Sequence, residues 1–348
     1  MPRVSVICPT YNRSRAILPT LDSVRTQSMR DWEMIVVSDG SDDDTDEVVA
    51  EVAAQDDRIR LRRVPHFGFQ AGPTNLVLPE AKGEYIAYLD HDDRWESGHL
   101  ALLTAAFDDG AQFVATRARK VNASGAVTST ADPLTMCWAP ELQLMNPLFE
   151  NSCAAHRAGL AESVGGWRES PVGLEDWDLW LRMTDAGARC TTLLDVTVTM
   201  LDDPGTRQHS LPCDYDHEIA RFEDARAARA GYRALTHPRH FRAGLEASRA
   251  DLHHWYGSLA DTGDLVLPLG WEGGTDALTG AVDRHVEAVQ MVWNNLIIEP
   301  KDGYVALAMV LGTMTADHAE RYSAHFRTTM THQQAFFEDV LPAGSVAR

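Results

Sequence analysis

The chain has 348 residues, 44% of them hydrophobic and 24% charged, which is the composition of an ordinary soluble globular protein with room for a large core and an appended second region. Lys and Arg total 31 against 51 Asp and Glu, a formal charge of −20 that repels nucleic acid and anionic lipid unless a local basic patch intervenes, and none is evident in the sequence. Cys8, Cys137, Cys153, Cys190 and Cys213 are odd in number and far apart, with no Cys-x-x-Cys pair, which argues against a disulfide framework or zinc ribbon and for a reducing cytoplasm.

The N-terminus enters a strand without a signal-peptide pattern, and the longest apolar run, Tyr304 to Leu311, is too short to span a bilayer, so a soluble protein without a membrane span is expected. Short β-branched runs then alternate with helical patterns: strand Val4–Cys8 and helix Ser14–Ser28, strand Met34–Val37 and helix Asp43–Ala54, strand Ile59–Val64 and helix Gly72–Ala81, then strand Tyr85–Leu89. This alternation predicts a parallel α/β sheet, with Pro19 kinking or delaying the first helix. Gln112–Lys120 and Cys190–Leu201 read as further strands, Pro140–Phe149 as a short helix or loop, and the segment holding Trp177, Trp180, Leu181 and Met183 as a buried helix closed by Gly187. From about Pro212 helical patterns take over, at His217–Ala234, Phe241–Leu259, Asp283–Ile298 and Tyr304–Phe326. Val282, Val286, Val289, Trp293 and Leu296 form one apolar stripe, suited to helix packing or to self-association. Two regions are therefore expected, residues 1–212 and a mainly helical 213–348 that shapes an acceptor site or pairs the chain with itself.

Ligands of open α/β sheets bind beyond the carboxyl ends of the strands. Three such ends carry chemistry: Pro9-Thr10-Tyr11-Asn12-Arg13, Ser38-Asp39-Gly40-Ser41 and Asp90-His91-Asp92-Asp93. Three carboxylates so close repel one another unless a cation joins them, and hard oxygen ligands suit Mg²⁺ or Mn²⁺ bridging to phosphates. The plainer reading is turn chemistry, with Asp92 or Asp93 capping a helix that begins near Glu96. Further on, Glu175-Asp176 opens a helix, where two acids complement the positive end of the dipole. The histidines of the tail, His318, His325 and His332, lack the spacing of a zinc helix.

Five segments in order, Val6 to Arg13, Val36 to Ser41, Ala81 to Ile86, Leu89 to Asp93 and Glu175 to Asp178, resemble the family 2 glycosyltransferases of the GT-A fold, a Rossmann-like, mostly parallel mixed sheet flanked by helices, over roughly residues 3–212. The resemblance implies a metal-dependent, inverting transfer of one sugar from a nucleotide-sugar donor, UDP-linked by preference, to a hydroxyl acceptor. It places Pro9, Thr10, Tyr11, Arg13, Asp39, Asn75, Asp90 and His91 around the nucleotide and donor, Asp92 on Mn²⁺ or Mg²⁺ with His209 closing the metal site, and Asp176 as the general base. Glu175 is implied to hold an acceptor hydroxyl or Arg182, and Trp167 either stacks on an acceptor sugar or packs in the core. The segment His66 to Asn75 departs from the family pattern, and the membrane helices and Gln-x-x-Arg-Trp of the polymerising members are not seen. A sugar-phosphate nucleotidyltransferase and a non-catalytic nucleotide-sugar-binding protein are the alternatives.

Overall fold

The computed structural model describes residues 1–146, 148–168, 174–201, 219–289, 296–301, 304–309 and 316–346. In chain order the first part contains β1 (Val4–Thr10), α1 (Leu18–Arg25), β2 (Trp32–Asp39), α2 (Thr45–Ala53), β3 (Ile59–Val64), α3 (Ala71–Val77), β4 (Tyr85–Tyr88) and β5 (Arg94–Trp95). It continues with α4 (His99–Asp108), β6 (Phe113–Val121), β7 (Val127–Thr130), α5 (Pro140–Met145), β8 (Ala154–Arg157), α6 (Leu160–Ser163), α7 (Glu175–Asp185) and β9 (Cys190–Leu201). Then come α8 (Ala225–Leu235), α9 (Pro238–Thr262), α10 (Leu278–Val289), β10 (Leu296–Lys301), β11 (Tyr304–Met309), α11 (Ala316–Thr329) and α12 (Thr331–Val340).

Two compact units result, Met1–His209 with Val266–Trp271, and Ser210–Leu265 with Glu272–Arg348. The first is built on one mixed sheet of order β3-β2-β1-β4-β8-β6-β9-β5, with β7 added to β6. β1 to β4 pair in parallel, and β1 and β2 are buried at every residue, as sheet strands covered on both faces must be. Pro19 falls in the first turn of α1, where a missing N–H costs nothing, after a 3₁₀ turn over Ser14–Ile17. Beyond β4 the sheet turns antiparallel through β8, pairing Ala87 with Ala155, and this reversal brings the chain just before β8 to the carboxyl end of β4. Beneath it, Tyr88, Phe113, Phe149, Trp167 and Trp180 form one aromatic cluster with ring centroids 4.9–6.4 Å apart.

The second unit centres on α9, which packs against α8, α10 and α12. Asp251 of α9 is fully buried and caps α12, its oxygens accepting the amides of His332 and Gln333 at 2.9 Å each. Three helical expectations are corrected here. α10 ends at Val289, and Leu296–Lys301 pairs antiparallel with Tyr304–Met309, Lys301 opposite Tyr304. In sequence Asp302-Gly303 stands between those partners, a dipeptide favoured in two-residue hairpin links, so the local signal competed with the helical spacing of the stripe. Of that stripe, Val282 and Val286 are buried on α10 and Leu296 lies in a strand; Trp293 lies outside the described residues. The helix expected from His217 begins instead at Ala225, where the Asp224 carboxylate accepts the amides of Arg226 and Ala227.

Candidate active site

Register brings the strand ends together. Thr10 is level with Ser38, Asp39 with Val64, and Tyr88 with Ile7, so the exits of β1, β2, β3 and β4 open side by side on one edge. In the exit of β1, Asn12 and Ser14 hold left-handed backbone with φ of 47° and 40°, uncommon for residues other than glycine. Bonds to the exit of β2 offset that strain. The Asn12 side chain donates to Asp42 at 2.7 Å and accepts the Asp42 amide at 3.0 Å, while Thr45 Oγ1 accepts the amides of Arg13 and Ser14 at 2.7 and 2.6 Å.

Asp39 is buried at the foot of this edge, its oxygens accepting the amides of Phe67 at 2.7 Å and Gly68 at 3.0 Å. A carboxylate has about four acceptor positions, so capacity for a further donor remains. Gly40 next to it has φ of +66°, and a Cβ there would stand 2.8 Å from the His66 amide nitrogen, so the close approach of these two exits requires glycine. The Tyr11 ring stacks on His66 with centroids 4.3 Å apart. Pro9 is buried within β1, and Thr10 Oγ1 is buried with no hydrogen-bond partner among the described residues.

Arg13 Nε donates to His91 Nε2 at 2.6 Å. Burial first, then the Arg13 charge, push the imidazole down to about 4, so His91 is neutral at physiological pH and acts as a seat for Arg13.

The three carboxylates after β4 divide by environment. Asp93 is fully buried and accepts the Ser152 hydroxyl at 2.7 Å. Asp90 accepts Asn151 Nδ2 at 2.8 Å, and its amide donates to Ser152 Oγ at 3.0 Å. Asp92 is half-buried, and its carboxylate accepts no hydrogen bond among the described residues. The capping reading for Asp92 and Asp93 is removed, because α4 begins at His99 with Gly98 as its N-cap. Among the described residues no three His, Cys, Asp or Glu side chains gather to hold an ion by themselves, and His209 lies outside those residues.

Helix α7 opens on Leu174, a non-glycine residue in left-handed conformation with φ of 59°, a local strain of about 1–2 kcal/mol. Asp176 Oδ1 accepts the Trp177 amide at 2.8 Å, as an acid in a first turn does. Its carboxyl sits in a recess that keeps some contact with solvent, yet burial, then the charge of Glu150 and more weakly that of Asp90, raise it to about 7 against two lowering backbone hydrogen bonds. Glu150 also stands 3.4 Å from Lys120 Nζ and, with Thr116, Thr130, Met136 and Phe149, lines a cavity of about 230 Å³.

Three further expectations change. Asn75 Nδ2 donates to the Trp167 carbonyl at 2.7 Å and Asn75 Oδ1 accepts the Trp167 amide at 2.8 Å, so its amide clamps backbone. The Trp167 ring is 3% exposed inside the aromatic cluster, which leaves no face for a sugar. Arg182 is held by Asp178, at 2.7 and 2.9 Å, in place of Glu175, whose side chain is buried at the start of α7. Removing one partner of so buried a pair strands the other charge, and we expect Asp178→Ala to cost about 3–5 kcal/mol in urea unfolding; an unchanged midpoint would refute the pairing. The segment Glu150-Asn151-Ser152 carries little signal in the sequence because β8 is four residues long, leaving a polar run ahead of Cys153-Ala154-Ala155 as its mark.

Residues 5–161 match the family model described as Glycosyl transferase family 2. The chain is 37% identical over 113 residues to a GalNAc(5)-diNAcBac-PP-undecaprenol beta-1,3-glucosyltransferase of Campylobacter jejuni, covering 32% of this chain and 36% of that protein. It is 37% identical over 99 residues to the UDP-Glc:alpha-D-GlcNAc-diphosphoundecaprenol beta-1,3-glucosyltransferase WfgD of Escherichia coli, covering 28% of this chain and 38% of that one. The chain thus spans well under half the length of these relatives. Among solved structures, residues 1–349 of Staphylococcus aureus TarS in complex with UDP-GlcNAc superpose with a TM-score of 0.51 over 97% of this chain and 91% of that one, at 18% identity. Residues 5–161 thus resemble the family 2 glycosyltransferases, and the strand order with its four aligned exits is that of a GT-A-like fold followed by a largely helical C-terminal region.

Proposed function

We propose that this protein is a metal-dependent, inverting glycosyltransferase that moves a single sugar from a nucleotide-sugar donor, in first place a UDP-sugar, to an acceptor hydroxyl. The observation that carries the reading is Asp176, a carboxyl raised to about 7 within reach of the charges of Asp90 and Glu150. A base near neutral pKa combines ionisation at physiological pH with a useful drive to take a proton. UDP is favoured because the E. coli relative is named for a UDP-Glc donor and the fold neighbour was solved with UDP-GlcNAc.

On this reading the donor's base lies against Tyr11, with Asp39 accepting its N–H, while Pro9, Thr10 and Arg13 line the nucleotide and Arg13 faces the phosphates from its seat on His91. Asp90, held by Asn151, addresses the ribose. Asp92 is the direct metal ligand, with His209 as a further one; a hard oxygen that no donor among the described residues has claimed fits Mn²⁺ or Mg²⁺ completed by water and phosphate. Such an ion, when bound, stabilises negative charge on the departing diphosphate as a Lewis acid. The acceptor oxygen forms a bond to the anomeric carbon as the bond to the diphosphate breaks, and its proton passes to Asp176. One in-line displacement inverts the configuration. Glu175, beside that base, is assigned a supporting place toward the acceptor.

Cytoplasmic residence is part of the proposal. Cys8, Cys137, Cys153 and Cys190 are free and buried, the state a reducing compartment maintains, and no helix among the described residues is long and apolar enough to cross a membrane. A thermal-shift screen of nucleotide sugars with and without Mn²⁺ tests the function: a donor at about 100 times its Kd should add roughly 2.7 kcal/mol of stability, only with metal. Slow Mn²⁺-dependent hydrolysis of the same donor is expected. Pyrophosphate release from a nucleoside triphosphate, or stabilisation without any turnover, would overturn the proposal.

A further inference from the structure

The formal charge of the chain is −20, yet residues 219–250 hold seven arginines against Glu223, Asp224 and Glu246. On α8, Arg226, Arg229 and Arg233 follow one another at i, i+3 and i+7, on the face opposite the buried Ala228, Gly231 and Leu235. All three are exposed, and none of their guanidinium groups has an ion pair or hydrogen bond among the described residues. Asp224, the acid whose carboxyl feels the charges of Arg226 and Arg229, is turned onto the amides that begin α8. Three like charges in one stripe repel, a cost that an anionic partner removes.

In sequence, exposed aromatic residues alternate with these arginines, Tyr232 beside Arg233 and Phe241 between Arg239 and Arg242. The exposed large apolar side chains of the second unit, among the described residues, are Tyr232 at 37% and Phe241 at 43%, one on α8 and one in the first turn of α9. An amphipathic helix with arginine on its polar side and aromatic rings beside it suits a lipid headgroup region, where guanidinium groups meet phosphates and rings enter the boundary. A flexible polyanion is the poorer match, since wrapping would carry it over the rest of a strongly acidic chain. A flat surface meets only the patch, with charges beyond about 8 Å screened. We propose that the corner formed by α8 and α9 is a docking surface for an anionic membrane, through Arg226, Arg229, Arg233, Tyr232 and Phe241. The proposal is independent of the transferase reading.

The test is co-sedimentation of the full chain with phosphatidylcholine vesicles, with and without phosphatidylglycerol. Binding is expected only to the mixed vesicles, falling steeply as salt is raised. Each arginine near such a surface contributes roughly fivefold, so Arg226→Gln, Arg229→Gln and Arg233→Gln together should weaken binding about 100-fold, and Arg229→Gln alone about fivefold. Tyr232→Ser with Phe241→Ser should weaken the binding that persists at moderate salt, whereas Arg321→Gln, on α11, should change nothing. Circular dichroism melts confirm folding of each variant, and the single substitution stands in if the triple one does not fold. Absence of vesicle binding, equal binding by the arginine variants, or binding to polyphosphate or single-stranded RNA in place of vesicles would overturn the proposal.

Discussion

Asp176→Asn is expected to lower kcat by about 10²- to 10⁴-fold while leaving donor affinity nearly unchanged, because an amide keeps the shape of the side chain and cannot take the acceptor proton. The same carboxyl sets a pH signature. With Asp176 raised to about 7, wild-type turnover should climb with pH through that value, since the base works only when ionised. Glu150→Gln removes the neighbouring negative charge that helps hold the carboxyl up, so the acid limb should move to lower pH without a collapse of activity above it. Stability should run the other way. An acid whose folded-state pKa lies near 7, above its ordinary 3.8, binds more proton in the native state across that window, so folding stability falls as pH rises through it. Asp176→Asn should therefore melt a few degrees above the wild type at pH 8, and the gain should vanish near pH 4. A variant as active as wild type, or one whose melting difference is independent of pH, would remove Asp176 from the role of base.

Asp92→Asn should be nearly as damaging, with transfer reduced at least about 100-fold and the dependence on added Mn²⁺ shifted to far higher concentrations. A chelator should bring the wild type to the same level. Activity alone would not separate metal binding from folding, so the decisive measurement is the melting shift produced by UDP. In the wild type UDP should raise the melting temperature only when Mn²⁺ is present, because a chain of formal charge −20 repels a diphosphate that lacks a counter-ion. Asp92→Asn should lose that shift while its own melting temperature stays near wild type, as expected of a carboxylate that accepts no hydrogen bond among the described residues. Asp93→Asn should instead lower the melting temperature itself, since that carboxylate is fully buried against Ser152. Equal UDP shifts with Mn²⁺ and with chelator would place the metal elsewhere or dispense with it.

The sequence alone determined the parallel half of the sheet and the motifs at its edge. Alternating β-branched runs and helical spacings are local signals, and nearly every strand up to Tyr88 falls where those signals place it. Tertiary structure decided what local pattern does not encode. Three adjacent aspartates look alike in sequence, yet the antiparallel return of β8 brings Asn151 and Ser152 onto Asp90 and Asp93 and leaves an Asp92 carboxylate that accepts no hydrogen bond among the described residues. The same return helps bring Glu150 into the field of Asp176, across more than twenty residues of chain. The Asn75 amide is turned onto the backbone of Trp167, 92 positions away, and the Trp167 ring is closed into the aromatic cluster. The hairpin after α10 and the arginine stripe on α8 are not legible in local pattern for one physical reason: composition and period average over a segment, whereas strand pairing and exposure depend on which residues the fold sets side by side.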